Sequence, residues 1–145
     1  MNWKNLSFLA LAGLIACIFS LALNGSLFGT GPMTIGVQIL AAILLIWARM
    51  TFGMRSFHAG ANPTGGGIVT SGPYKFIRHP IYASIIYFLW AGIAAHTSAA
   101  TVTIGLLATA MNFVRIVAEE KLLVRTYPEY SDYSQSTARI VPYLL

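Results

Sequence analysis

Four long apolar stretches, separated by polar or glycine-rich connections, dominate the hydrophobic pattern of this chain. They cover residues 6–23, 32–48, 81–97 and 99–118. Each stretch is close to the ~20 residues with which an α-helix crosses the ~30 Å hydrocarbon core of a bilayer. The pattern therefore predicts an all-α integral membrane protein with four transmembrane helices.

The connections between these stretches predict how a single membrane domain, residues 1–145, is organised. Its parts are, in chain order, two N-terminal helices over residues 1–48, a cytoplasmic loop over 49–80, a helical hairpin over 81–118 and a cytoplasmic tail over 119–145. The hairpin must be tight, because only residues 96–98 separate its two apolar stretches. The glycine-rich residues 60–67 could close over a ligand or simply link two helices, and the sequence leaves both roles open.

Composition supports the membrane assignment and limits the classes of binding partner that we expect. Apolar residues make up 57% of the chain and charged residues only 9%, whereas soluble domains carry roughly a quarter charged residues. The net charge is +5, but the basic residues flank the apolar stretches and form no continuous stripe. This distribution is typical of anchoring at an anionic membrane surface, so we expect contacts with membrane lipids and none with nucleic acid.

The positions of the nine Lys and Arg residues predict the orientation in the membrane. These residues are Lys4, those of the 49–80 loop, and those from Arg115 onwards, while the connections 24–31 and 96–98 hold none. Because basic residues concentrate on the cytoplasmic side, we expect both termini and the long loop to face the cytoplasm. In a bacterium this would be a multi-pass protein of the inner membrane.

Cysteine and histidine usage argues against a metal site. The single cysteine, Cys17, excludes an intrachain disulfide and a cysteine cluster, and the three histidines lack the spacing of metal ligands. Residues 14–17 resemble a bacterial lipoprotein cleavage box that ends at Cys17. Since the apolar run continues to Leu23, a retained first helix is the preferred interpretation and a lipoprotein the alternative.

Polar residues gather where the hairpin meets the cytoplasm. The sequence RHPIY, residues 78–82, precedes the third apolar stretch, and Glu119 and Glu120 follow the fourth. His79 precedes a proline and is therefore expected outside the helical conformation, with the next helix beginning at Pro80. Charged residues grouped at the ends of two neighbouring spans indicate a functional site.

The predicted fourth helix presents a polar face that ends in two acids. Asn112, Arg115 and Glu119 share this face, and Arg115 and Glu119 are spaced for an ion pair. Glu120 points about 100° away from Glu119, so the two carboxylates should have different partners. Two acids at a helix C-terminus would oppose the helix dipole, which predicts cationic neighbours or a cationic ligand.

A structural interpretation of the same residues is available. Arg, His and Tyr side chains are common at the membrane interface, and the tyrosines of the tail could form an aromatic belt. The chain would then be a small non-catalytic membrane scaffold. The grouping of the motif opposite an acidic pair favours the functional interpretation.

Three motifs in order give the chain a family resemblance. GPYKFIRHPIY at residues 72–82, EEKLL at 119–123 and YPEYSDY at 127–133 together resemble the isoprenylcysteine carboxyl methyltransferase family, which shares its C-terminal signature with phospholipid N-methyltransferases. The resemblance covers about half of the chain. The spacing from Glu120 to Tyr130 is one residue shorter than the commonest family form.

The resemblance implies methyl transfer from S-adenosyl-L-methionine, with S-adenosyl-L-homocysteine as the product. The third and fourth helices and the tail would build the cofactor pocket without a Rossmann domain. The residues that match the cofactor-binding signature are His79, Tyr82, Glu119, Glu120 and Tyr130. The residues that it places at the reacting groups are Arg78 and Glu120.

The chemistry of the cofactor and of the acceptor suits these residue types. Glu119 or Glu120 could bind the cofactor ammonium, and His79 its carboxylate or a ribose oxygen. A carboxylate acceptor needs no base, and Arg78 could bind it bidentately. This makes a prenylcysteine-like carboxylate the first choice among lipophilic acceptors. A phospholipid or other amine is the alternative and would need a base such as Glu120 or His79.

Overall fold

The computed structural model describes residues 3–53 and 67–142, and within these ranges the fold is all-helical. Its helices are α1 (Trp3–Leu23), α2 (Pro32–Phe52), the 3-10 helix η1 (Gly72–Lys75), α3 (Pro80–Ala95), α4 (Ala99–Thr126) and α5 (Tyr130–Ser136). The predicted helical fold class is therefore confirmed. His58 and residues 60–66 of the glycine-rich segment lie outside the described ranges.

Three of the helices are long and apolar enough to cross a membrane, namely α1, α2 and α4. Helix α3 is equally apolar but has only 16 residues, which corresponds to about 24 Å. It is thus shorter than the ~20 residues of a usual span. The membrane character of the chain is supported, and the count of four crossings stays a prediction.

The helices begin where the sequence provides a start signal. Pro32 and Pro80 each occupy the first turn of a helix, where a missing N–H leaves no hydrogen bond unmade. At the start of α4, Ser98 Oγ accepts a hydrogen bond from the Thr101 N–H at 3.1 Å, and Ser98 N–H donates to Thr101 Oγ1 at 2.9 Å. This reciprocal cap closes the hairpin turn between α3 and α4.

The end of α4 corrects one prediction. We expected the helix to stop with the apolar stretch at residue 118, but it continues to Thr126. Residues 119–126 contain good helix formers and no Gly or Pro, so the loss of hydrophobicity does not end the helix. Glu119 and Glu120 therefore lie inside α4, and the expected conflict with the dipole at its C-terminus does not arise.

The helices pack in the spatial order α2, α3, α4, α1. Helix α1 lies along α4 and α2 lies along α3, while α1 and α2 scarcely touch each other although they are adjacent in sequence. One apolar core joins α1, α3 and α4 through Leu14, Leu21, Leu89, Ile93 and Ala108. A second core joins α3 and α4 to the C-terminal segment through Ile77, Ala83, Ile116, Ala138 and Ile140.

Candidate functional site

The C-terminal segment folds back against the motif that precedes α3. The Arg78 N–H donates to the Ala138 carbonyl at 2.8 Å, and the His79 N–H donates to the Arg139 carbonyl at 3.1 Å. Ile77 and Ala138 form an isolated parallel β-bridge. These backbone bonds fix the side chains of Arg78, His79 and Arg139 on one small surface.

Glu120 of α4 receives three cationic or ionisable side chains from that surface. Its Oε1 accepts from Arg78 Nε at 2.8 Å and lies 3.1 Å from His79 Nε2. Arg139 donates from Nε to Oε1 at 3.1 Å, and its second terminal nitrogen lies 2.9 Å from Oε2. A carboxylate has about four lone-pair positions, so Glu120 is saturated in this arrangement.

Arg78 is held from a second direction by the tail. One terminal nitrogen donates to the carbonyl of Ser134 at 3.0 Å and to the carbonyl of Thr137. Its side chain is only 9% exposed, and His79 is buried as well. Arg78 and His79 are therefore rigidly positioned, whereas the side chain of Arg139 is 48% exposed.

Glu119 points to a different neighbour. The Tyr82 hydroxyl donates to Glu119 Oε2 at 2.9 Å, and the Tyr82 ring lies 5.7 Å from the His79 ring. The Arg115 guanidinium lies 5.7 Å from the centre of the same tyrosine ring and donates to the Ser7 carbonyl of α1 at 3.0 Å. The site thus continues from the tail into the interface between α1 and α4.

Tyr130 has a buried hydroxyl with no hydrogen-bond partner among the described residues. The residue is 3% exposed, and its ring packs edge-on against Tyr133 at 5.9 Å. Burial raises the pKa of the Tyr130 hydroxyl, and the nearby Glu120 carboxylate raises it further, so the group stays neutral. A buried hydroxyl without a partner is costly, which makes Tyr130 a candidate for contact with a polar ligand atom.

The site provides groups of both charges beside that hydroxyl. S-adenosyl-L-methionine carries an ammonium, a carboxylate, ribose hydroxyls and a sulfonium. The carboxylates of Glu119 and Glu120 can balance its cationic groups, and the guanidinium groups its carboxylate. Tyr130 can bind a ribose or carboxylate oxygen. The residues present therefore fit this cofactor.

An apolar cleft of about 260 Å³ opens between α1, α2 and α3. Its lining residues are Ile18, Leu27, Ala41, Ala42, Leu45, Ser84, Ile85, Phe88 and Leu89. The one polar side chain in this set, Ser84, donates its hydroxyl to the Ile81 carbonyl at 2.7 Å. Ile85 and Leu89 lie three and seven residues after Tyr82, so they share a face of α3 with a residue of the polar site.

All of the site residues predicted from the sequence lie at this end of the hairpin, and the structure adds Arg139 to them. The sequence offered no spacing signal for Arg139, because its contact with Glu120 arises only when the tail folds back across the start of α3. Its position in a polar tail near a proline gave no reason to single it out.

Comparison with known proteins identifies the family of this architecture. Residues 34–125 match the family model of isoprenylcysteine carboxyl methyltransferases. This match includes Arg78, His79, Tyr82, Glu119 and Glu120 and ends before Tyr130 and Arg139. No solved structure matches the chain significantly. The resemblance stated from the motifs is therefore confirmed.

Three curated proteins are similar in sequence to part of this chain. The cobalt-zinc-cadmium resistance protein CzcN of Cupriavidus metallidurans is 32% identical over 53% of this chain and 36% of its own length. The nickel-cobalt-cadmium resistance protein NccN of Alcaligenes xylosoxydans xylosoxydans is 35% identical over 53% of the chain and 37% of its own. Methanethiol S-methyltransferase 1 of Bradyrhizobium diazoefficiens is 38% identical over 48% of the chain and 24% of its own length. The aligned part of the chain thus spans little more than a third of these relatives at most.

Proposed function

Because the chain belongs to the isoprenylcysteine carboxyl methyltransferase family, we propose that it transfers a methyl group from S-adenosyl-L-methionine to a lipophilic acceptor. The observation that carries this proposal is the cluster around Glu120 beside the buried hydroxyl of Tyr130, which has no hydrogen-bond partner in the described part of the chain. Such a grouping of charges and a vacant hydrogen-bonding group is more than an interfacial anchor requires.

In this proposal, different residues of the chain bind different groups of the cofactor. When bound, S-adenosyl-L-methionine supplies an electrophilic methyl group on a sulfonium. Glu119 binds the ammonium, because Glu120 is already saturated by its three neighbours. His79, Tyr82 and Tyr130 border the nucleoside and its sulfur. In-line methyl transfer then depends on positioning and on the exclusion of water, which the buried side chains provide.

Glu120 acts in this proposal by orienting Arg78 and Arg139. Two guanidinium groups stabilise its ionised form, which makes it a poor base for removing a proton from an ammonium. An acceptor that is ionised without help is therefore favoured over an amine. A prenylcysteine-like carboxylate remains the first choice, and phospholipid or other amine N-methylation remains the alternative.

The contacts of Arg78 change how such a carboxylate would be held. Its Nε and one terminal nitrogen are occupied by Glu120 and by the tail carbonyls of Ser134 and Thr137. Among the described residues no contact engages the second terminal nitrogen, so we propose that Arg78 orients an acceptor oxygen through a single contact rather than the bidentate one expected from the sequence.

The apolar cleft supports a lipophilic acceptor. Helices α1 and α2 scarcely touch, so hydrocarbon from the bilayer can reach the cleft between them, and the cleft residue Ile85 lies one helical turn after Tyr82. A thiol is a further candidate acceptor beside the carboxylate and the amine. The similarity to methanethiol S-methyltransferase 1 favours it, and a thiol ionises more readily than an ammonium.

The position of the site also bears on the membrane topology. Arg78 precedes α3 and Glu120 lies near the end of α4, yet their side chains are 2.8 Å apart. Both residues must therefore lie on the same side of a bilayer. If α4 crosses, α3 must cross as well, and a local thinning of the bilayer could accommodate its shorter length. We infer four crossings, with both termini and the site in the cytoplasm.

The first experiment is calorimetric titration of the detergent-solubilised protein with S-adenosyl-L-homocysteine. We expect saturable binding to one site, and loss of that binding in His79→Ala and Glu120→Gln. Arg125→Gln is the matched control, because Arg125 is an exposed cation in the last turn of the same helix. Absence of binding by folded wild-type protein would support the scaffold interpretation.

The acceptor is then identified by transfer of a radiolabelled methyl group. Prenylated thiol acids, alkyl thiols and amine phospholipids are compared in the same vesicles. Methylation of the thiol acids on carboxyl oxygen would support the first choice. Labelling of the amine lipids alone would contradict the role given to Glu120.

A further inference from the structure

The polar site carries more positive than negative charge around Glu120. Arg78 and Arg139 both contact this single carboxylate, and His79 approaches it as well. Two guanidinium groups against one carboxylate leave an excess of one positive charge even when His79 is neutral. A cluster of this kind, at the boundary between protein and water, favours the binding of an anionic group.

Arg139 is the cation of this cluster that remains accessible. Its Nε and one terminal nitrogen face Glu120, which fixes the plane of the guanidinium. Its other terminal nitrogen makes no hydrogen bond or ion pair within residues 3–53 and 67–142, and the side chain is 48% exposed. Hydrogen bonding to Glu120 also raises the pKa of Arg139, so the group stays charged. Arg78, in contrast, is 9% exposed and already bound to two carbonyls of the tail.

We propose that Arg139 binds the carboxylate at the amino-acid end of the methyl donor. This assignment rests on the proposed function and adds a ligand-binding residue beyond the part of the chain that matches the family model. Glu120 contacts Nε and one terminal nitrogen of the Arg139 guanidinium. The opposite edge of the guanidinium binds the ligand carboxylate. Charge-assisted hydrogen bonds of this geometry are among the strongest in proteins.

The arrangement separates the two charges of the amino-acid group. Glu119, bound by the Tyr82 hydroxyl, takes the ammonium, and Arg139 takes the carboxylate. Because Arg139 comes from the tail and Glu119 from α4, the ligand would bridge the two elements. Binding of the amino-acid end thereby fastens the tail over the start of α3.

The test compares two ligands that differ only at this end. S-adenosyl-L-homocysteine carries the ammonium and the carboxylate, whereas 5′-methylthioadenosine has the same nucleoside and thioether without them. We expect Arg139→Ala to weaken binding of S-adenosyl-L-homocysteine about tenfold or more, and to change binding of 5′-methylthioadenosine less than about twofold. Arg139→Lys keeps the charge but loses the fork, so its effect on S-adenosyl-L-homocysteine should be intermediate.

The outcomes distinguish a ligand contact from a structural ion pair. Equal weakening of both ligands in Arg139→Ala, or no change in either, would overturn the assignment of Arg139. Thermal denaturation of each variant, with Arg125→Ala as the control, verifies that the protein remains folded. If folded wild-type protein binds neither ligand, the proposed function itself fails, and that result is seen before any variant is made.

Discussion

Two neighbouring tyrosines in α5 illustrate how single residues divide between stability and ligand binding. The Tyr133 hydroxyl donates to the Tyr74 carbonyl at 2.7 Å and so ties α5 to η1. The Tyr130 hydroxyl is buried and has no partner in the described part of the chain. One hydroxyl therefore serves the fold, and the other is the one that we propose for a ligand contact.

Substitution by phenylalanine separates these roles. Tyr133→Phe removes a hydrogen bond and should lower the free energy of unfolding by about 0.5–1.5 kcal/mol. Tyr130→Phe removes a hydroxyl that is desolvated without a partner, so stability should be unchanged or slightly higher. It should nevertheless weaken binding of S-adenosyl-L-homocysteine several-fold. Thermal denaturation and calorimetric titration measure the two effects. A larger loss of stability in Tyr130→Phe than in Tyr133→Phe would contradict this assignment.

At this scale the sequence predicted the grouping of residues better than their individual contacts. Arg78, His79 and Glu120 belong to motifs whose chemistry can be interpreted without a structure, and they do lie together. The saturation of Glu120 could not be predicted, because it depends on Arg139, which is brought in by the fold of the tail. Local spacing carries no information about such a contact between distant segments.

Hydrophobicity and proline signals located the helices well but misplaced one end. The starts at Pro32 and Pro80 were predictable, since proline fits the first turn. Helix α4 continues beyond its apolar stretch, because a segment can be helical without being apolar enough to enter a membrane. Its polar last turns need only good helix formers, and the break comes when Pro128 follows Tyr127.

The contact between α3 and the α1–α2 connection gives a prediction at the level of elements. A Cβ at Gly92 would collide with the Leu27 carbonyl and lie 3.0 Å from the Ser26 carbonyl, and backbone atoms cannot easily give way. Gly92→Ala should therefore lower the free energy of unfolding by about 1–3 kcal/mol. Gly36 in α2 has no atom within 4 Å of such a Cβ, so Gly36→Ala is the matched control and should leave stability unchanged or raise it by up to about 1 kcal/mol.

Thermal denaturation in the same detergent compares these two glycine variants. Gln38 holds the α1–α2 connection to α2 and α3. Its amide nitrogen donates to the carbonyl of Leu27 at 2.8 Å and to the carbonyl of Phe88 at 3.1 Å. A misplaced connection would disturb the apolar cleft that Leu27 lines. Equal melting temperatures for Gly92→Ala and Gly36→Ala would show that the connection can move away from α3.

For the molecule as a whole, the contacts of the site and the distribution of charge support the same membrane topology. The 2.8 Å contact between Arg78 and Glu120 requires the two ends of the hairpin to share one side of the membrane. The basic residues independently predict that this side is the cytoplasmic one. The sequence supplied the charge distribution, whereas the contact depends on the packing of α3, α4 and the tail.

Single introduced cysteines test this topology, because Cys17 is the only native cysteine and can first be replaced by alanine. Asn24→Cys and Ala100→Cys lie in or beside the two uncharged connections, and Lys75→Cys and Gln135→Cys lie near the site, all at exposed positions. In intact spheroplasts a membrane-impermeant maleimide should label only the first two variants. Opening the membrane should expose the other two.

The pattern of labelling also decides whether α3 crosses. If α3 stayed on the cytoplasmic side while α4 crossed, the positions near Lys75 and Gln135 would be labelled from opposite sides. The contact between Arg78 and Glu120 could not then exist in the membrane, and the site proposed here would be divided. Labelling of Lys75→Cys and Gln135→Cys from the same side, opposite to Ala100→Cys, is the result that a functional hairpin requires.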